Sequence, residues 1–238
     1  MEVCGVVRTI RTERGIIHLY SYDFIGKGTE ATVYRKGNTA YKCYHPFFYT
    51  DRLSLEEVQK LRKLSTSRIL LPQEILWSPT GKFKGYTTKY VEDYGIENIL
   101  QLPTDFLIDE FHRLKQDCTI LGEQSVLVAD FLPGNSDVHN YSFHDGVYFF
   151  DPGKFRYDTS FSSSEIIAYN SSMVDDVIYH GIIMKYGNFL GSSHQVAEAM
   201  KEWSCDTTYT SVGLMDYIES DIHEKNLGEY IKRKVLKK

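Results

Sequence analysis

Two acidic residues, each followed by turn-forming sequence, stand out as candidates for chemistry: Asp130 in VLVADFLPGN and Asp151 in VYFFDPG. A carboxylate at the mouth of a strand-loop segment can accept a hydroxyl proton, and an asparagine with a second carboxylate can hold a divalent cation against phosphate oxygens. On that chemistry Asp130 is the base or substrate-orienting residue, and Asp151 is the principal cation ligand. The asparagine has two candidates. Asn135 follows Asp130 within DFLPGN, and Asn140 opens the run NYSFHDGVYFFD that leads into Asp151. Asp137 and His139, between them, read as polar loop residues.

Upstream, IGKGTEATVY at 25–34 sets Gly26 and Gly28 between two strand-like runs. Without side chains, these positions let backbone N–H groups approach phosphate oxygens closely, although a plain hairpin can have the same sequence. One strand later Lys42 lies in the apolar run TAYKC. An ammonium group there either meets an anion, such as the α and β phosphates of ATP, or snorkels out at a sheet edge. The segment SLEEVQKLRKL offers Glu56 and Glu57 as partners for that lysine. Glu57 shares the stripe of Leu61 and Leu64, so it is the carboxylate expected to orient Lys42, while Glu56 faces solvent.

Stepping outward to the supporting elements, β-branched and aromatic residues crowd Ile16 to Phe24, Thr32 to Tyr34 and Thr39 to Tyr44, as strands require. SPTG at 78–81 predicts a turn joining QEILW to KGYTTKYV. Ser54 is the expected cap of the helix bearing Glu57. Leu107, Phe111, Leu114, Cys118 and Leu121 mark one face of a second helix, capped by Thr104 and stopped at Gly122. A hairpin tip is expected at His144 to Gly146, and further helices near Met173–Met184, Gln195–Trp203 and Met215–Lys234. The serine cluster at Ser160 and Ser162 to Ser164 is expected to be mobile.

Taken in order, GKGTEATV, AYK, Glu57, DFLPGN and DPG resemble the protein-kinase-like superfamily, which includes protein kinases and phosphotransferases of the aminoglycoside and choline kinase type. The resemblance is to a minimal, divergent kinase of bacterial or phage type and spans roughly residues 20–185. DVIYHG at 176–181 is similar to the family helix whose aspartate, here Asp176, anchors the catalytic loop.

It implies an α+β, two-lobed protein-kinase-like fold. Residues 1–93 would form an N-lobe of antiparallel sheet with one helix, and 94–238 a reduced, mainly helical C-lobe with the catalytic loop and metal-binding hairpin, together one domain. It also implies ATP and Mg²⁺ as cofactors. The catalytic residues would be Asp130, Lys42 and Glu57, and the nucleotide contacts Gly26, Lys27, Gly28, Val33, Ala40, Lys42 and Glu92. Asp151 would bind metal with Asn135 or Asn140: DxxPxN is the more specific match and favours Asn135, whereas the spacing to the following hairpin favours Asn140.

The departures are informative. Ala31 occupies the third glycine position, Val128 and Ala129 replace the family's His-Arg, and DPG at 151–153 replaces DFG. Without an arginine before Asp130, control by an activation-loop phosphate is not expected. Leu132 and Gly134 stand where protein kinases carry a basic residue, and PGN is similar to the small-molecule branch. Little chain follows Asp151 for substrate-binding insertions, and no APE-like element ends a long activation segment. The expected activity is transfer of the γ-phosphoryl group of ATP to a hydroxyl, on a protein Ser, Thr or Tyr in preference to a small molecule. The alternative is a pseudokinase acting as a nucleotide-sensing or scaffold protein, with AMP transfer or a small-molecule kinase as more distant readings.

Composition is compatible with this. An apolar fraction of 42% with 25% charged residues supports a packed fold rather than extended disorder. A net charge of −5 disfavours nonspecific attraction to nucleic acid or an anionic membrane, so neither is expected as a partner. Cys4, Cys43, Cys118 and Cys205 are scattered without a CxxC pair, as in reduced cytosolic proteins. MEVCGVVRTIRTERG is interrupted by Arg8, Arg11 and Arg14, unlike a signal peptide, and no apolar run reaches membrane-spanning length. A cytoplasmic location is expected. The lysine-rich C-terminal stretch is read as a last helix with a solvated end.

Overall fold

The computed structural model describes residues 6–46, 52–92, 94, 95, 98, 99, 101–129, 140–190 (side chains to 178), 226, 228, 229 and 233. Within them the chain is mixed α+β, with an antiparallel N-terminal sheet and three α-helices. It divides into two units.

The first unit comprises Met1–Thr66, Leu70–Val91 and Asp151–Tyr157. The strand-forming runs become β1 (Val6–Thr12), β2 (Gly15–Tyr20), β3 (Phe24–Lys27), β4 (Ala31–Lys36), β5 (Thr39–Tyr44), β6 (Ile75–Trp77) and β7 (Phe83–Lys89). They form one sheet in the order β2-β1-β6-β7-β5-β4-β3, with every neighbouring pair antiparallel. The expected turn joins β6 to β7, where Gly81 N–H donates to Ser78 O at 2.9 Å. Because side chains alternate between faces, β4 and β5 direct Tyr34, Tyr41 and Cys43 to one side. There Tyr34 and Cys43 join Ile10, Leu19 and Leu76 in a buried apolar cluster, with Tyr41 packed against it. Helix α1 (Leu55–Leu61) packs beside β6 and β7 through Val58 and Leu61, both fully buried. Ser54 caps it as expected, accepting from Glu57 N–H at 3.2 Å.

The second unit comprises Ser67–Ile69, Glu92–Phe150 and Asp158–Lys238. Helix α2 (Thr104–Glu123) buries the anticipated stripe of Leu107, Phe111, Leu114, Cys118 and Leu121. Its ends differ from expectation. Pro103, not Thr104, holds the cap position, and the helix runs through Gly122 instead of stopping there. Gly122 is a crossing point: a Cβ on it would lie 2.9 Å from the backbone nitrogen of Ile167, so the absent side chain admits helix α3 (Ser163–Leu190).

Helix α3 begins inside the serine cluster that was expected to be mobile. Ser162 Oγ accepts from Glu165 N–H at 3.3 Å while Ser162 N–H donates to Glu165 Oε2 at 2.8 Å, a reciprocal cap that starts the helix. Strands β9 (Tyr141–Phe143) and β10 (Val147–Phe149) pair as an antiparallel hairpin, and His144 N–H donates to Gly146 O at 3.1 Å across its tip. The helices anticipated at 195–203 and 215–234 lie outside the described residues, apart from 226, 228, 229 and 233.

Buried charge in this unit organises backbone. Asp117 accepts from the N–H groups of Ser67 at 2.9 Å, Arg68 at 2.6 Å and Ile69 at 2.8 Å. Burial pushes its carboxyl up, and those N–H bonds oppose the shift. Glu110, almost wholly buried, takes both arms of the Arg68 guanidinium and accepts from Val147 N–H at 2.9 Å. Among the described residues no helix is long and apolar enough to cross a membrane.

Candidate functional site

Strand register brings several anticipated residues into one row. Gly26 on β3 pairs with Val33 on β4, Val33 with Lys42 on β5, and Lys42 with Tyr86 on β7. Residues paired across antiparallel strands share a face. Val33, Lys42 and Tyr86 therefore project together beside a glycine that adds no bulk, and Ala40, two residues before Lys42, lies on the same side. This is the face opposite the Tyr34–Cys43 cluster. Adding a Cβ to Gly26 or Gly28 would meet nothing within 4 Å, so the hairpin between β3 and β4 has open space along it.

The Lys42 side chain is only 9% exposed. A buried ammonium requires anionic partners, and Lys42 has two: it donates to Glu30 Oε1 and to Asp151 Oδ1. Glu30 comes from the glycine hairpin, closed by Gly28 N–H donating to Ala31 O at 2.9 Å. Asp151 comes from the DPG turn, where it adopts φ 61° and accepts from Gly153 N–H at 3.2 Å. Tyr86 OH, also buried, donates to Asp151 Oδ1 at 3.5 Å.

Gly153 lies close against the head groups of this cluster. A Cβ there would fall 2.6 Å from Glu30 Oε1 and 2.8 Å from Lys42 Nζ, so a larger residue would push into the ion cluster.

Electrostatics follow from this arrangement. Burial alone would lower the Lys42 ammonium, but the Asp151 and Glu30 carboxylates beside it outweigh that effect and hold it above its ordinary value. Burial, followed by the charges of Asp151 and Glu30, pushes the Tyr86 phenol well up, and it stays a neutral donor. Among the described residues, nothing hydrogen-bonds to the buried Glu30 Oε2 and Tyr44 OH.

The other anticipated residues are placed differently. Glu57 is not on Lys42: its carboxylate accepts from Ser54 N–H at 2.7 Å, completing the cap of its own short helix. It lines a cavity of about 410 Å³ together with Arg52, Gly153, Lys154 and Arg156. Lys27 follows Gly26 on β3, so alternation sends its exposed side chain to the opposite face of the strand. Glu92 belongs to the second unit, where its carboxylate accepts from Tyr94 OH at 3.1 Å and its carbonyl from Ser142 Oγ at 2.6 Å.

Asn140 is also in that unit, its carbonyl accepting from Phe150 N–H at 2.9 Å. Asp130 and Asn135 lie outside the described residues. The run leading to Asp130 is held by Asn170 of α3, whose Oδ1 accepts from Val128 N–H and whose Nδ2 donates to Val126 O, each at 2.9 Å. The buried aspartate of the DVIYHG region is Asp175, one residue before Asp176, and it pairs with Lys115 of α2.

Three residues of the cluster were not singled out from sequence: Glu30, Gly153 and Tyr86. Glu30 had a signal, an acidic residue inside GKGTEATV in a segment otherwise suited to anions. Gly153 closes the DPG triplet, two residues after Asp151, but gives no sign of its close contacts. Tyr86 had none, because its position opposite Lys42 depends on β7, rather than a nearer strand in sequence, pairing with β5.

Mg²⁺ prefers oxygen ligands and commonly uses one or two carboxylates plus phosphate oxygens. Asp151 is a hard oxygen donor with its side chain 37% exposed. Among the described residues no three His, Cys, Asp or Glu side chains gather into a metal-binding group. Comparison of the chain with protein-family models finds no match, and neither does comparison with curated proteins.

Proposed function

We propose that the chain is an ATP-dependent phosphotransferase with a two-lobed protein-kinase-like fold, moving the γ-phosphoryl group to a hydroxyl on a protein or, less favoured, a small molecule. The observation that carries this reading is the buried Lys42 in line with Gly26 and Val33 on one sheet face, joined to Asp151 of the DPG turn. An ammonium there suits the α and β phosphates, and the open glycine hairpin suits backbone contact with them.

In the proposed reaction the acceptor oxygen bonds to the γ-phosphorus as the bond to the β–γ bridging oxygen breaks, releasing ADP. Asp130 takes the hydroxyl proton. Asp151, with Asn135 or Asn140, would hold Mg²⁺, which supplies charge neutralisation on the β and γ phosphates when bound. Lys42 orients the phosphates, and the Gly26–Gly28 backbone covers them. The cytoplasm, where Mg·ATP is abundant, is the proposed setting. The replacement of His-Arg by Val128-Ala129 and of DFG by DPG favours a second reading, a pseudokinase that binds nucleotide without transfer.

Thermal unfolding with ATP, with and without Mg²⁺, tests the site. Wild type should be stabilised and Lys42→Ala and Asp151→Ala should not. Absence of stabilisation in wild type at millimolar ATP ends the nucleotide reading. Incubation with γ-labelled ATP and candidate acceptors then separates the two readings: transfer lost in Asp130→Ala identifies the enzyme, and binding without transfer across an acceptor panel identifies the pseudokinase.

A further inference from the structure

We infer that Glu30, carried by the glycine hairpin, is the positioning carboxylate that aims Lys42 at the nucleotide phosphates, a role that sequence register assigns to Glu57. The inference rests on the ATP-site reading and specifies how that site is built.

The geometry separates the two glutamates. Glu57 is the third residue of a seven-residue helix, and its carboxylate is committed to Ser54 N–H at 2.7 Å. Taking it to Lys42 would break the reciprocal cap that starts the helix. Glu30 already accepts from the Lys42 ammonium, with its side chain only 18% exposed.

Its backbone is pinned. His45 N–H donates to Glu30 O at 2.8 Å, His45 Nδ1 lies 3.0 Å from Thr29 O, and His45 Nε2 shares a 2.9 Å hydrogen bond with Thr32 Oγ1. The base of the hairpin is thus tied to His45, just past the end of β5 and three residues beyond Lys42. Gly153 lies against the Glu30 and Lys42 head groups, so a side chain there would have to shift them.

Lys42 has three ammonium hydrogens. Two are directed at Glu30 and Asp151, which leaves the third for a phosphate oxygen. Once Asp151 serves the cation, Glu30 is the remaining carboxylate that fixes the direction of Lys42. The segment that covers the phosphates then also sets the lysine, so hairpin placement and lysine placement are a single event.

The test has two arms on the full chain. In the first, Mg·ATP affinity is measured by calorimetry well below the unfolding temperature. Glu30→Gln should weaken binding about tenfold, as loss of a charge-assisted contact implies. Glu30→Asp should recover part of the loss, and Glu57→Gln should change affinity less than about twofold on the same scale. In the second, no nucleotide is present and unfolding midpoints are compared in double-mutant cycles. Glu30→Gln should add little once Lys42 is Met, whereas Glu57→Gln should add its full effect.

Unchanged or tighter Mg·ATP binding in Glu30→Gln overturns the inference, since the carboxylate would then be idle or competing with phosphate. Coupling of Lys42 to Glu57 instead of Glu30 also overturns it. If wild type binds no Mg·ATP, the nucleotide reading falls and the positioning role falls with it. If wild type binds and Glu30→Gln binds equally well, only the positioning role falls.

Discussion

Replacing Lys42 with Met gives the most direct measure of how the ion cluster contributes to the first unit. Methionine fills much of the same space but leaves the Glu30 and Asp151 carboxylates without their shared counter-ion, and among the described residues Glu30 Oε2 already has no hydrogen-bond partner. Removing one member of a buried charge pair costs about 3–5 kcal/mol. Asp151 is more than one-third exposed and keeps some hydration, so the expected loss is about 3 kcal/mol, at the low end of that range. For a chain of this size that lowers the midpoint of thermal unfolding by about 6–12 °C.

The pH profile adds a control. A lysine held above its ordinary value in the fold contributes stability fully below its unfolded pKa, and that contribution is lost as pH rises through the folded value. The deficit of Lys42→Met relative to wild type should therefore be flat from about pH 6 to 9 and should narrow only above about pH 10.4, where the unfolded lysine deprotonates. Urea denaturation followed by circular dichroism at several pH values measures both quantities. A deficit below about 1 kcal/mol, the range of ordinary surface substitutions, or one that varies steeply between pH 6 and 9, refutes the assignment of Lys42 as a buried, doubly paired ammonium.

Other outcomes follow from the second unit. Gly122→Ala should cost about 1–3 kcal/mol, because its Cβ meets the Ile167 backbone, which cannot move aside as a side chain could; urea denaturation measures it. Asn170→Ala leaves the Val128 N–H and Val126 carbonyl without their buried partner and should cost about 1–3 kcal/mol for the donor alone. Under the proposed function it should reduce phosphoryl transfer more than Mg·ATP binding, because the run it holds leads into Asp130. Ser162→Ala removes the cap of α3 and should cost about 0.5–2 kcal/mol, visible as a loss of helical ellipticity on warming before the main transition.

Much of the sheet was legible because its signals are local. Alternating β-branched and aromatic residues mark β4 and β5, while the lysine inside TAYKC is readable locally only as a choice between a buried, anion-paired charge and one that snorkels out at a sheet edge. The apolar stripes of α1 and α2 were equally plain. Errors arose where one residue type serves two purposes. Glu57 sits on the inward stripe, but the spacing from Ser54 to Glu57 also spells a reciprocal cap, and the nearer bond prevailed. The same spacing from Ser162 to Glu165 makes a helix start of a serine cluster whose composition alone suggests mobility. Gly122 resembled a helix stop because glycine breaks helices, yet its role depends on Ile167, forty-five positions away and invisible to local pattern. The Lys115–Asp175 pair likewise joins positions sixty apart, beyond the reach of local pattern.

The separation of 109 positions between Lys42 and Asp151 has a bearing on how the chain is made. At synthesis rates of roughly 5–20 residues per second, the nascent β5 waits about 5–20 s before its second counter-ion leaves the ribosome. Until then Glu30, twelve positions before Lys42 and already translated, is the cluster's available anion. A fragment ending at residue 93 would remain in that interim condition permanently, with the lysine seat half built, so excision of the sheet as an autonomous module requires grafting the 151–157 segment back on.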